Sequence, residues 1–171
     1  AELYLQLVRI VHDQNTLKAL EFCEINIEIC KKTGNTVTEY YTLIEKARCY
    51  INLGQNNQAF DIISLLDEKL KASDNHLLLG KFYMLCDYAY SKVENYDVAA
   101  QHAFLALKEY TLANDTSGLS RAYYNIALNY DQVGDYKKAL ESYILSRNYA
   151  QVNNEIEIIK DANNNIGTIY D

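Results

Sequence analysis

Apolar residues along this chain recur at helical spacing, three and four positions apart. In the stretch from Ser120 to Gln151, Tyr123, Ile126, Ala127 and Tyr130 share one face of a helix. Val133-Gly134-Asp135 interrupts the pattern, and glycine there can take the left-handed conformation that ends a helix. Tyr136, Ala139, Leu140 and Tyr143 then resume the same spacing. Extended along the chain, the pattern predicts paired helices. The first helices fall at 2–12, 37–53, 76–93, 118–133 and 155–170. The second helices fall at 17–32, 58–71, 98–111 and 136–151.

The pairs repeat with a step of 40. A small or apolar residue recurs at Leu7, Ala47, Ala127 and Gly167, with Asp87 as the exception in register. Alanine recurs at Ala19, Ala59, Ala99 and Ala139. An aromatic recurs at Tyr50, Tyr90, Tyr130 and Tyr170, with Ile10 in the first register. Antiparallel helices that pack tightly need a small side chain where their axes approach most closely, which accounts for the alanine columns. The predicted fold class is all-α, a right-handed α-solenoid of antiparallel helix pairs forming one domain over 1–171. Its repeats are expected at about 1–36, 37–74, 75–114 and 115–154, with a half repeat at 155–171 that caps the stack. The chain reads as a fragment of a longer protein.

Composition supports helices. There is no proline and there are six glycines in 171 residues, too few turn formers for a sandwich or barrel. The formal net charge of −7 argues against nucleic acid as a partner, because phosphate contacts call for basic surfaces. No run approaches the ~20 apolar residues of a membrane span. The expected location is cytoplasmic, with a periplasmic sensory segment of a membrane signalling protein as the alternative.

Candidate chemistry is sparse. The four cysteines, Cys23, Cys30, Cys49 and Cys86, form no CxxC pair and have no histidine at ligand spacing. They are expected as small apolar filler. His12, His76 and His102 lie in different repeats and are expected as partly exposed helix residues. No phosphate-binding glycine loop and no HExxH motif occurs, so neither an enzyme activity nor a cofactor or metal is expected of this segment.

The segment AYYNIALNYDQVGDYKKALESY, 122–143, resembles the consensus of the tetratricopeptide repeat (TPR), with Tyr123, Ile126, Ala127, Tyr130, Ala139 and Tyr143 at signature columns. NNNIGTIYD at 163–171 is similar to the opening of a further repeat. The unit 43–66 fits through Ala47, Tyr50, Gly54 and Ala59. The unit 83–106 fits through Tyr90, Tyr96 and Ala99, but carries Asp87 where glycine or alanine is usual. The period of 40 and the missing proline mark a longer-helix form. It is similar to the TPRs of kinesin light chain, of Pins-type spindle adaptors and of the bacterial Rap, PlcR and NprR regulators. Sensory TPR segments of histidine kinases and diguanylate cyclases are similar too. HEAT and armadillo repeats are the alternative fold.

The resemblance implies a concave groove lined by the first helices. Its columns fall on Tyr41, Ile44, Glu45 and Arg48, on Lys81, Met84, Leu85 and Tyr88, on Arg121, Tyr124, Asn125 and Leu128, and on Asp161, Asn164 and Asn165. The candidate ligand groove is therefore Tyr41, Arg48, Lys81, Tyr88, Arg121, Tyr124, Asn125 and Asn165. Arginine and tyrosine are favoured at binding hot spots, and asparagine can hold a peptide backbone. The function implied is a protein- or peptide-binding module, the sensory or regulatory part of a larger bacterial signalling protein. A passive scaffold, or a regulatory segment of an enzyme whose catalytic domain lies elsewhere, are the alternatives. The partner is a protein or peptide in the groove, without nucleic acid or membrane, and a second copy of the chain could dock on the terminal repeats.

Overall fold

The computed structural model describes residues 1–12 and 14–170. Asp13 and Asp171, the last residue of the expected half repeat, lie outside the described residues. Among the described residues there are nine helices and no strand: α1 (Glu2–His12), α2 (Thr16–Thr33), α3 (Thr36–Asn52), α4 (Asn56–Leu70), α5 (His76–Lys92), α6 (Tyr96–Leu112), α7 (Thr116–Gln132), α8 (Tyr136–Val152) and α9 (Ile156–Tyr170). The predicted starts at 17, 37, 58, 98 and 118 fall one or two residues late. Each helix begins just after its cap, a residue or two ahead of the apolar pattern.

Those caps form a column that apolar periodicity does not reveal. The side chains of Asn15, Asn35, Asn75, Asn95, Asp115 and Asp135 each accept a hydrogen bond from the backbone N–H three residues on. Their register repeats every half period. Each bond satisfies a donor that the helix itself leaves orphaned. Gln55 occupies the same register without a side-chain cap bond.

Turns also fall in two columns. Gly54, Glu94 and Gly134 take positive φ between the helices of a repeat, and Gly34, Asn114 and Asn154 do so between repeats. Glycine and asparagine are the residues that adopt this conformation at least cost. The second column lacks a member at 74. There the chain divides into two compact units, Ala1–Ser73 and Asp74–Asp171.

In the first unit, α1 to α4 pack in sequential pairs, and α1 also lies against α3. In the second unit, α5 to α9 do the same, with α5 against α7 and α7 against α9. First helices of successive repeats are thus neighbours within each unit. The small columns close the pairs, with Ala19, Ala47, Ala59, Ala99, Ala127 and Ala139 all fully buried. Columns fail at both end helices. In α1 Val8, one position on from Leu7, is fully buried in its place, while Ile10 is 65% and Tyr170 71% exposed. In these helices fewer neighbours hold the face to the register.

The core of the second unit contains one close approach that fixes two residue types. The ring of Tyr110, on α6, is buried between Gly80 of α5 and Gly118 of α7. A methyl group at Gly80 would lie 2.6 Å from Tyr110 Cε1, and one at Gly118 would be tighter still. The two glycines let the tyrosine wedge between neighbouring first helices.

Candidate functional site

Asp87 stands where the repeat calls for a small residue, and the structure shows what replaces the missing contact. On α5 it is 2% exposed. One turn apart on α7, Asn125 and Asn129 both turn their amides to it. Asn129 Nδ2 donates to Oδ1 at 2.7 Å and Asn125 Nδ2 donates to Oδ2. Burial pushes the Asp87 carboxyl up to about 6, against the hydrogen bonds from Asn129 and Asn125, which lower it. Among the described residues no cationic group pairs with it.

This cluster lines a cavity of about 340 Å³. Asp87, Tyr88 and Lys92 of α5, Tyr96 of α6, and Asn125 and Asn129 of α7 line it. The Lys92 ammonium lies 5.2 Å from the centre of the Tyr88 ring. The volume is at the lower end of small-ligand pockets, which run from about 300 to 1,000 Å³.

The candidate residues have separate fates. Tyr88 and Asn125 line this cavity together. Arg121, one turn before Asn125, is exposed and approaches Glu155 at 3.5 Å. Glu155 also accepts hydrogen bonds from Ser117 and Ser120, so the start of α9 is tied to α7 by polar contacts. Asn165 of α9 donates to Tyr124 Oη at 3.2 Å. Tyr124 is half-buried and packs edge-on against Tyr143 at 5.7 Å. Burial holds the Tyr124 phenol above its usual value, opposed by the Asn165 hydrogen bond. Lys81 is half-buried on α5. In the first unit, Tyr41 is half-buried and Arg48 exposed on α3. Ile44 and Leu85, expected in the groove, are instead core residues at 4% and 2% exposure. A one-residue uncertainty in helix phase turns a groove position inward by 100°.

The first unit brings together groups that sequence spacing keeps apart. His12 is 7% exposed, not the partly exposed residue expected. Its Nε2 lies 2.7 Å from Asn52 Nδ2, and its Nδ1 lies 3.6 Å from Cys49 Sγ. Cys23 packs against Cys49. Hydrogen bonding from Cys23, then from His12, favours the Cys49 thiolate, while burial opposes it. The residue types are those of a thiol nucleophile with its base. Cys49 is fully buried, however, and no substrate carbon can reach its sulfur. His76 pairs with Glu109 at 2.8 Å, and His102 stacks on Tyr90. No group of metal-ligating side chains and no helix long and apolar enough to cross a membrane occurs among the described residues.

No protein-family model matches the chain, and no curated protein matches it by sequence. Its fold is similar to that of solved structures. The structure of BtubC (BKLC) from P. vanneervenii aligns with a TM-score of 0.75 at 16% identity, over 91% of this chain and 66% of that one. The apo form of RapI aligns with a TM-score of 0.74 at 16% identity, over 98% of this chain and 68% of RapI. MamA, residues 41 to the end, from Desulfovibrio magneticus RS-1 aligns with a TM-score of 0.54 at 19% identity, over 99% and 92%. The chain thus spans about two thirds of the length of BtubC and RapI. All three are TPR-type helical-repeat proteins. Paired helices, alanine columns at a step of 40 and these structural neighbours agree, and the chain has the all-α, solenoid-type fold of tetratricopeptide-like repeats.

Proposed function

We propose that this chain is a protein- or peptide-binding module, the sensory or regulatory part of a larger bacterial signalling protein. The reading rests on the face formed by α5, α7 and α9, where neighbouring first helices present tyrosine and carboxamide side chains around an open cavity. Such a surface suits an extended ligand. Tyrosine offers flat contact at low entropic cost, and carboxamides pair with backbone N–H and C=O without reading sequence. Single-domain behaviour over 1–171, a role without catalysis in this segment, and a cytoplasmic setting belong to the same proposal.

The test is selection of peptides from a random display library on the whole chain, followed by titration of the winners. Tyr88→Ala and Asn165→Ala should each weaken binding by about thirtyfold, the effect of truncating a hot spot. Circular dichroism should be unchanged in both. Selected peptides that bind both variants at wild-type strength would move the site off this face. Failure to select any peptide would sink the binding-module reading.

A further inference from the structure

The cavity lined by Asp87 has a chemical bias. Asn125 and Asn129 each donate one Nδ2–H to the carboxylate, one to each oxygen. A carboxylate has about four acceptor sites, so two of Asp87 remain. Each carboxamide keeps its Oδ1 acceptor and one further N–H. Two carboxylate sites and two carboxamide oxygens against two remaining N–H groups leave the cluster with more acceptors than donors. Asp87 itself is a carboxyl held 2% exposed by neutral partners, which leaves its charge uncompensated. Tyr88 and Tyr96 supply aromatic walls. The one cation on the lining, Lys92, is placed over the Tyr88 ring.

We propose that the Asp87–Asn125–Asn129 cavity is a subsite for the guanidinium of an arginine side chain on the bound peptide. Guanidinium is planar, offers five donors and no acceptor, and stacks on tyrosine faces. It complements an anionic cluster with more acceptors than donors beside two tyrosines, whereas a compact ammonium meets fewer of those acceptors. Its charge offsets the burial of the Asp87 carboxylate. The neighbouring residues then divide the work. Asn125 and Asn129 are positioning residues that hold the carboxylate, and Tyr88 and Tyr96 clasp the flat head group.

This proposal rests on the peptide-binding reading, and its test is independent of any selected peptide. The probe is Nα-acetyl-arginine methylamide, titrated into the 15N-labelled chain while the side-chain amide signals of Asn125 and Asn129 are followed. Saturable shifts of both signals are expected. The citrulline analogue, equal in shape but uncharged, should leave them in place, and the lysine analogue should bind more weakly. Asp87→Asn should weaken the arginine probe by about tenfold or more, the loss of a charge-assisted pair, with unchanged circular dichroism. Should that variant fold poorly, the citrulline comparison on the unaltered chain still decides. Equal shifts with citrulline, no shifts with arginine, or full affinity in Asp87→Asn would each overturn the subsite. Tighter binding of free arginine than of the capped form would also overturn it, in favour of a free amino acid. If library peptides bind while capped arginine does not, only the subsite fails. If no peptide binds, the function reading fails with it.

Discussion

Replacing Asp87 by asparagine should make the protein more stable at neutral pH, and the gain should vanish in acid. Burial raises the folded-state carboxyl from 3.8 to about 6, which by linkage corresponds to about 3 kcal/mol between its charge states. The folded state therefore binds this proton more tightly than the unfolded state does. Below pH ~4 the group is protonated in both states and costs nothing. Between pH ~4 and ~6 the unfolded chain has released the proton and the folded chain has not, so stability falls as pH rises. Above that window the full cost of the buried charge is present and the contribution is flat. The other titratable groups lining the cavity, Tyr88, Lys92 and Tyr96, include no carboxylate or imidazole to confuse the window. Asparagine keeps the shape without the charge. One of its two amide partners must turn its carbonyl inward, which reduces the expected gain to about 1–3 kcal/mol at pH 8. Urea denaturation of both proteins from pH 4 to 8 measures the difference. A difference independent of pH, or an asparagine variant less stable at pH 8, would refute the account of Asp87 as a desolvated carboxyl.

Further expectations concern the frame that holds the site. Gly118→Ala gains about 1 kcal/mol of helix propensity but drives a methyl group into the Tyr110 ring. Overpacking of about 1–3 kcal/mol should win, and a raised denaturation midpoint would contradict the wedge. Ala139→Leu, at a fully buried column, should cost a similar ~1–3 kcal/mol; an unchanged midpoint would show that the tight helix contact lies elsewhere. Asn35→Ala removes the side-chain acceptor for Thr38 N–H and should lower stability by about 0.5–2 kcal/mol, with hydrogen exchange rising first at the start of α3. Ser120→Ala, which removes one donor to Glu155, should speed amide exchange in the first turn of α9, and unchanged exchange there would mean that this contact does not tether the helix.

Helices, their pairing and their period were legible in the sequence because they depend on local spacing. A helical face is set by residues three and four apart, and a 40-residue repeat copies each face to the next pair, so columns such as Ala19, Ala59, Ala99 and Ala139 announce the close contacts. Other signals were present but used a different alphabet. The capping asparagines and aspartates, and the left-handed Asn114 and Asn154, serve backbone hydrogen bonding and conformation, to which hydrophobic periodicity is blind. What the tertiary structure alone decided are contacts between side chains about one period apart. Asp87 reads in sequence as a broken column, and only the packing of α5 on α7 brings Asn125 and Asn129 to its two oxygens. Ile44 and Leu85 turned inward, and His12 met Cys49, for the same reason. Helix phase and axial shift at a packed interface are set by the summed fit of many side chains, and no single spacing along the chain encodes that sum.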